Sequence, residues 1–165
     1  MGCRGCYYAL DDQHRTQLLS LSDDDLIEYI HSLDNELNHR ELGDVDKAWD
    51  AIHRCLTGDD TRDGLDPSAG SYPLNQCILG GRSLYDGDDY IVTLIEPAAV
   101  RDIAAAVEKI TDAEMERAYH KFCKDAWPEY GDEDCGITLG WFEELKVFFK
   151  RAAQANRAAV FYASQ

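Results

Sequence analysis

Four polar side chains, Asp46, Asp50, His53 and Thr57, recur at i, i+4, i+7 and i+11, the spacing that brings side chains onto one face of an α-helix. An imidazole flanked by carboxylates can bind a ligand, a metal or a partner, because a nearby negative charge favours its protonated form. Trp49 lies only about 40° around the same helix from His53, which puts the ring at the border of an apolar core. Two readings follow. In one, Asp46, Trp49, Asp50, His53 and Thr57 line a binding site, with Asp46 or Asp50 orienting His53 as a general base under a lid formed by residues 59–73. In the other, His53 makes one hydrogen bond that fixes its helix to a neighbour. The second is favoured. These five are the candidate binding residues, and none is assigned a catalytic role, because no nucleophile accompanies them.

The remaining chemistry-bearing residues are sparser. The chain has neither a G-x-S-x-G nor an H-E-x-x-H motif, and nothing around Ser83 would activate its hydroxyl. Gly80 and Gly81 lack both the dinucleotide-binding glycine spacing and a P-loop lysine, so they read as a turn. Asp59, Thr61, Asp63 and Gly64 match the first half of an EF-hand loop, but Gly70 stands where a bidentate Glu is required. His120 and Cys123 sit one helical turn apart. With Cys3 and Cys6 they would complete four zinc ligands, yet no second C-x-x-C supports that set. The six cysteines are read as reduced thiols. No metal and no cofactor is expected.

The elements that must position these residues follow from periodicity. A strand is expected around Tyr7–Leu10, followed by a short helix capped by Asp11 and Asp12. Ser22 and the run Asp23, Asp24, Asp25 suit a helix start, where carboxylates complement the exposed N–H groups and the macrodipole. Leu26, Ile30, Leu33 and Leu37 give that helix one apolar face to about residue 40. A helix over 44–58 would bury Val45, Trp49, Ile52 and Leu56 and stop at Gly58. Residues 59–73 read as a loop and 90–95 as a buried strand. Pro97 opens a helix, Thr111 with Glu114 forms a capping box for the next, and residues 124–136 read as an irregular acidic stretch. A last helix over about 139–155, burying Trp141, Leu145, Phe148, Phe149 and Ala152, leads to a final strand at 158–163. This predicts an α+β fold in which helices pack on a small mixed sheet with the two terminal strands as neighbours, all within one domain, 1–165.

Charge narrows the function classes. Thirty-two Asp and Glu face 16 Lys and Arg, a net charge of -16. Such an exterior repels phosphates, so direct nucleic-acid binding is not expected, whereas basic partners are attracted and encountered quickly. No stretch approaches the ~20 apolar residues of a membrane span, and no apolar signal region follows the start. The Met1-Gly2-Cys3 opening falls short of a myristoylation pattern, since Cys6 stands where Ser or Thr belongs. A cytoplasmic protein is expected.

The helix expected over 44–58, DVDKAWDAIHRCLTG, resembles the signature of the YfbM-like bacterial family of unknown function. Met1-Gly2 with Gly5, Pro73-Leu74 through Ile78-Leu79-Gly80-Gly81, the helix from Pro97, and Trp141-Phe142-Glu143-Glu144-Leu145 with the last strand resemble family landmarks in matching order. Cys3 and Cys6 depart from the pattern. The resemblance implies one α+β domain of bacterial origin and brings no reaction or catalytic set with it. The leading expectation is a non-catalytic interaction module, of the kind an immunity protein uses against a basic toxin. The alternative is a small-molecule-binding protein or enzyme with a pocket around Asp46, Trp49, Asp50 and His53. Oligomeric state stays open.

Overall fold

The computed structural model describes residues 3–61, 64–123 and 131–164. Five strands form one sheet in the order β2-β1-β5-β4-β3, with β1 at Gly5–Leu10, β2 at Leu42–Asp46, β3 at Arg82–Ser83, β4 at Tyr90–Ile95 and β5 at Ala158–Ser164. The terminal strands are neighbours, with Gly5 opposite Ala163 and Leu10 opposite Ala158. Every pairing is antiparallel, which corrects the expected mixed sheet. A parallel pair needs a single crossover, usually one helix. Here two helices join β1 to β2, which returns the chain in the opposite sense, and β5 lies between β1 and β4, antiparallel to both.

The sheet is covered on both faces. Helices α1 (Asp12–Leu19) and α2 (Asp23–Glu36) lie on one side, where Leu26, Ile30 and Leu33 pack with Tyr8, Leu10, Val92, Val160 and Tyr162. Helices α3 (Trp49–Thr57), α4 (Pro97–Val107) and α6 (Asp132–Gln154) lie on the other, where Trp49, Ile52, Ile103, Phe142 and Phe149 pack with Tyr7, Ala9, Ala159 and Phe161. Alternate residues of β1 and β5 thus point into opposite cores, which is why these strands read as continuous apolar runs. Helix α5 (Asp112–Phe122) lies against α3 and α6 through a smaller cluster of Ala51, Tyr119, Cys123 and Cys135.

Several expected caps are present. Asp11 accepts a bond from the His14 N–H, Thr111 and Glu114 form the capping box, and Pro97 opens α4. Gly58 ends α3 with φ of 73°, a left-handed conformation that glycine adopts without steric penalty. Helix α6 begins at Asp132, well before residue 139, because Asp132, Glu133 and Asp134 fill its first turn much as Asp23, Asp24 and Asp25 fill that of α2. Its buried stripe includes Phe142, while Trp141 is only half-buried. Helix α2 ends at Glu36, short of residue 40, and β3 was not anticipated. Residues 124–130 of the expected acidic stretch lie outside the described residues.

Candidate functional site

The expected helix over 44–58 is two elements. Residues Leu42–Asp46 form edge strand β2, with Asp44 opposite Cys6 and Gly43 opposite Tyr7. A helix there would leave one edge of β1 without backbone partners, and that pairing outweighs the local periodicity. Val45 still packs in the same core as Trp49 and Ile52, so its spacing imitates a helical stripe. Asp46 has φ of 43°, and its N–H donates to Asp44 Oδ1 at 2.8 Å. Asp46 therefore does not share a helix face with Asp50, His53 and Thr57.

Helix α3 holds the other four, and most of their polar atoms are spoken for. His53 is 1% exposed, and its Nε2 lies 3.2 Å from the Asp66 carbonyl and 3.9 Å from Asp59 Oδ2. A carbonyl oxygen only accepts, so Nε2 carries the proton in this bond. Burial is the main cause that lowers the His53 pKa, against the upward pull of its partners Asp66 and Asp59. That is opposite to the rise expected for an imidazole beside carboxylates. The Thr57 hydroxyl donates to the His53 carbonyl at 2.7 Å. Trp49 Nε1 donates to the Cys3 carbonyl at 3.1 Å. Asp50 Oδ1 accepts from Arg54 Nε at 2.8 Å, and burial nevertheless raises the Asp50 pKa.

Arg54, which sequence reasoning missed, and Asp59, singled out there only as part of a half EF-hand pattern, complete this cluster. The Arg54 side chain is buried, and its Nη1 and Nη2 donate to the carbonyls of Thr61 at 2.6 Å and Gly64 at 2.8 Å. Buried Asp59 accepts from the N–H groups of Thr61 at 2.9 Å and Asp66 at 2.7 Å. Burial opposes its ionisation, but these bonds and the Arg54 charge bring its pKa below the ordinary carboxylate value. Its oxygens are thereby occupied by backbone donors, and Asp63 of the half EF-hand pattern lies outside the described residues. The available signal in the sequence was the Asp50–Arg54 spacing of i, i+4, whereas the burial of residues 51–54 that gives it meaning appears only in the structure.

The larger opening is elsewhere. A cleft of 1060 Å³ wraps around the edge strand β2. On one side, α6 presents Ile137, Trp141 and Val147, and two of the three large apolar side chains exposed among the described residues, Ile137 at 52% and Val147 at 39%, belong to it. Gly43 permits the close approach of α6 there, since a Cβ would lie 2.7 Å from the Phe148 ring. On the other side, Tyr8 donates its hydroxyl to Asp34 at 3.0 Å, the Cys6 thiol donates to Tyr8 at 3.5 Å, and His31 Nε2 pairs with the Tyr162 hydroxyl at 2.9 Å. Burial pushes the Cys6 thiol up to about 11 and the Tyr162 phenol up to about 12, so both stay protonated at neutral pH. These groups can form hydrogen bonds with a bound partner, but they supply no activated nucleophile.

The cysteines with zinc-like spacing are divided by the sheet. Cys3 packs against the core that contains Trp49, and Cys6 against the core beneath α2. Cys123 faces the Ala51 carbonyl at 3.7 Å and Cys55 Sγ at 3.8 Å.

An antiparallel five-stranded sheet with helices on both faces, a buried polar cluster behind α3 and an open cleft at β2 define an α+β protein. The chain belongs to the family described as a domain of unknown function, DUF1877, whose model matches residues 1–162. Protein YfbM of Escherichia coli (strain K12) is 30% identical over 122 residues, which span 74% of this chain and 67% of that protein. A crystal structure titled as a protein of unknown function, YfbM from Escherichia coli, has a TM-score of 0.69 at 21% identity, covering 97% of this chain and 99% of that one. That likeness concerns the fold.

Proposed function

We propose that this protein is a non-catalytic interaction module of the bacterial cytoplasm, folded as one domain, that docks a basic protein partner in the cleft beside β2. The observation that carries this reading is the apolar stripe of Ile137, Trp141 and Val147 on α6 next to an edge strand. Exposed apolar side chains beside unpaired strand backbone suit a protein segment, which gains main-chain hydrogen bonds and side-chain burial together. The net charge of -16 favours a basic partner and speeds its encounter. No described helix is long and apolar enough to cross a membrane. An immunity-type role, in which the partner is a basic toxin, is the specific form this reading takes.

The test begins with capture of a partner by the tagged protein, followed by association kinetics with the purified pair. Association is expected to slow steeply as salt rises, and Val147→Asp is expected to weaken the complex. Salt-insensitive association would remove the electrostatic part, and undiminished binding by Val147→Asp would remove the cleft.

The alternative pocket around Asp46, Trp49, Asp50 and His53 has narrower support. Trp49 and Asp50 line a groove of 630 Å³ beside β4, and the other candidates lie outside that lining.

A further inference from the structure

Helix α6 carries a second regularity along the cleft. The residues it places there, Ile137, Gly140, Glu144, Val147 and Arg151, follow one another at alternating steps of three and four, with Trp141 on their flank. That spacing is the seam along which two helices pack against each other. All five residues are exposed. A Cβ at Gly140 would meet no atom within 4 Å, so nothing inside the chain requires a glycine there. Glycine weakens a helix, and at this position it suits the close approach of a surface from outside. Glu144 and Arg151 have opposite charges and stand three residues before and four after Val147. Among the described residues, neither forms an ion pair. The cleft as a whole sets Arg4 and Arg151 against Asp34, Asp44 and Glu144, close to balance, whereas acids outnumber bases twofold over the chain, 32 to 16. A molecule of charge -16 repels its own copies over most of its surface, and least at such a patch.

We propose that the α6 seam is the surface through which two copies of this chain associate, antiparallel across a two-fold axis at Val147, with Glu144 of each copy beside Arg151 of the other. A two-fold contact uses one patch twice, so a single pair of opposite charges flanking the axis satisfies both copies. Val147 meets its counterpart at the centre, and Ile137 and Trp141 extend the apolar area that the contact covers. The pairing closes on itself and yields a dimer, not a filament. The same wall serves the docking proposed above. In that reading, on which this consequence alone rests, self-association masks the site and a basic partner must displace the second copy.

Sedimentation equilibrium of the full chain over rising concentration gives the dissociation constant, expected below about 1 mM, the level of the weakest specific association. Val147→Asp sets two carboxylates at the axis and should weaken the dimer about a hundredfold. Glu144→Arg and Arg151→Glu should each weaken it about tenfold, and the two together should restore it to within about twofold of wild type. Glu144→Arg also lowers the net negative charge, so its weakening cannot come from repulsion between whole molecules. Glu116→Arg on α5, outside the cleft, makes the same change in net charge and should not weaken the dimer. Isotope-filtered NMR on a mixed labelled and unlabelled wild-type sample should show contacts between Val147 methyl groups of the two copies. Urea midpoints confirm that each variant folds. A chain that stays monomeric to about 1 mM, a dimer without the Val147 contacts or indifferent to Val147→Asp, or a double variant as weak as either single one would overturn the proposal. Salt separates this inference from docking. Self-association should tighten between about 0.05 and 0.5 M salt as repulsion is screened, whereas association with a basic partner slows. A monomer that still captures a basic partner sinks this inference alone, and a dimer that captures none sinks the docking reading alone.

Discussion

The cluster behind α3 and the cleft beside β2 are both rich in side chains that can do chemistry, yet they use them in opposite ways. Behind α3, His53, Arg54 and Asp59 are buried, and each is bonded to backbone groups of Thr61, Gly64 or Asp66. In the cleft, Ile137 and Val147 stand exposed with Tyr8, His31 and Asp34 close by. A loop has no ladder to satisfy its backbone, so it borrows side chains for that purpose. Helix α3 lends them, and its polar residues are thereby withdrawn from solvent chemistry. In the cleft, Tyr8, His31 and Asp34 are bonded to side chains, Tyr8 with Asp34 and His31 with Tyr162, and it is the exposed apolar Ile137 and Val147 that stay available for a partner.

Substitutions in the two regions should therefore separate stability from binding. The largest effect is expected at Arg54. Arg54→Met leaves the Thr61 and Gly64 carbonyls without this donor and Asp50 without its partner, a loss of about 3–5 kcal/mol of unfolding free energy by urea denaturation. A change below about 1 kcal/mol, the effect of an ordinary surface pair, would place this side chain among replaceable surface contacts. Asp59→Ala removes the acceptor for two backbone N–H groups and should cost about 1–3 kcal/mol in the same experiment.

Acidification sharpens the contrast. The folded-state pKa of His53 lies below its ordinary value, so in mildly acidic solution the unfolded chain binds the proton more readily. Stability is fully present above about pH 6.5 and falls as pH drops below it, with a limiting slope of about 1.4 kcal/mol per pH unit for one proton. His53→Gln should be less stable at neutral pH and lose this part of the slope. An unchanged slope in the variant would assign the acid sensitivity to another group. The smallest stability effects belong to the cleft. Ile137→Asp and Val147→Asp should stay within about 0.5 kcal/mol of wild type, because their side chains are exposed.

Much of the fold is legible in the sequence, because local and tertiary preferences agree. Strand β5, the helix from Pro97 and the Thr111–Glu114 capping box each carry their own signal. The α+β class follows from them. Helix and strand are confused at Val45, where one buried residue fits both a helical stripe and the end of an edge strand. Gly136 and Gly140, poor helix formers, hide the first two turns of α6 behind what reads as a loop. At the site, sequence spacing places Asp50, His53 and Thr57 on one helix correctly but cannot show what covers them. The covering segment is the loop that the same spacing suggests as a lid. Arg54 and Asp59 are easily passed over because single charged residues are common on surfaces, and only burial with several backbone partners distinguishes them. The cleft leaves a faint trace, apolar Ile137 and Val147 off the buried stripe of α6, and that stripe is itself obscured by the misplaced helix start.

The central claim is that the imidazole of α3 serves the fold from a sealed position. An NMR titration of the His53 ring in the intact protein tests it most directly. The ring should titrate below the ordinary imidazole midpoint, with its Nε2 proton protected from exchange with water. A midpoint at or above about 6.5, with a rapidly exchanging proton, would contradict the account and return His53 to the open, carboxylate-flanked position that its spacing first suggests.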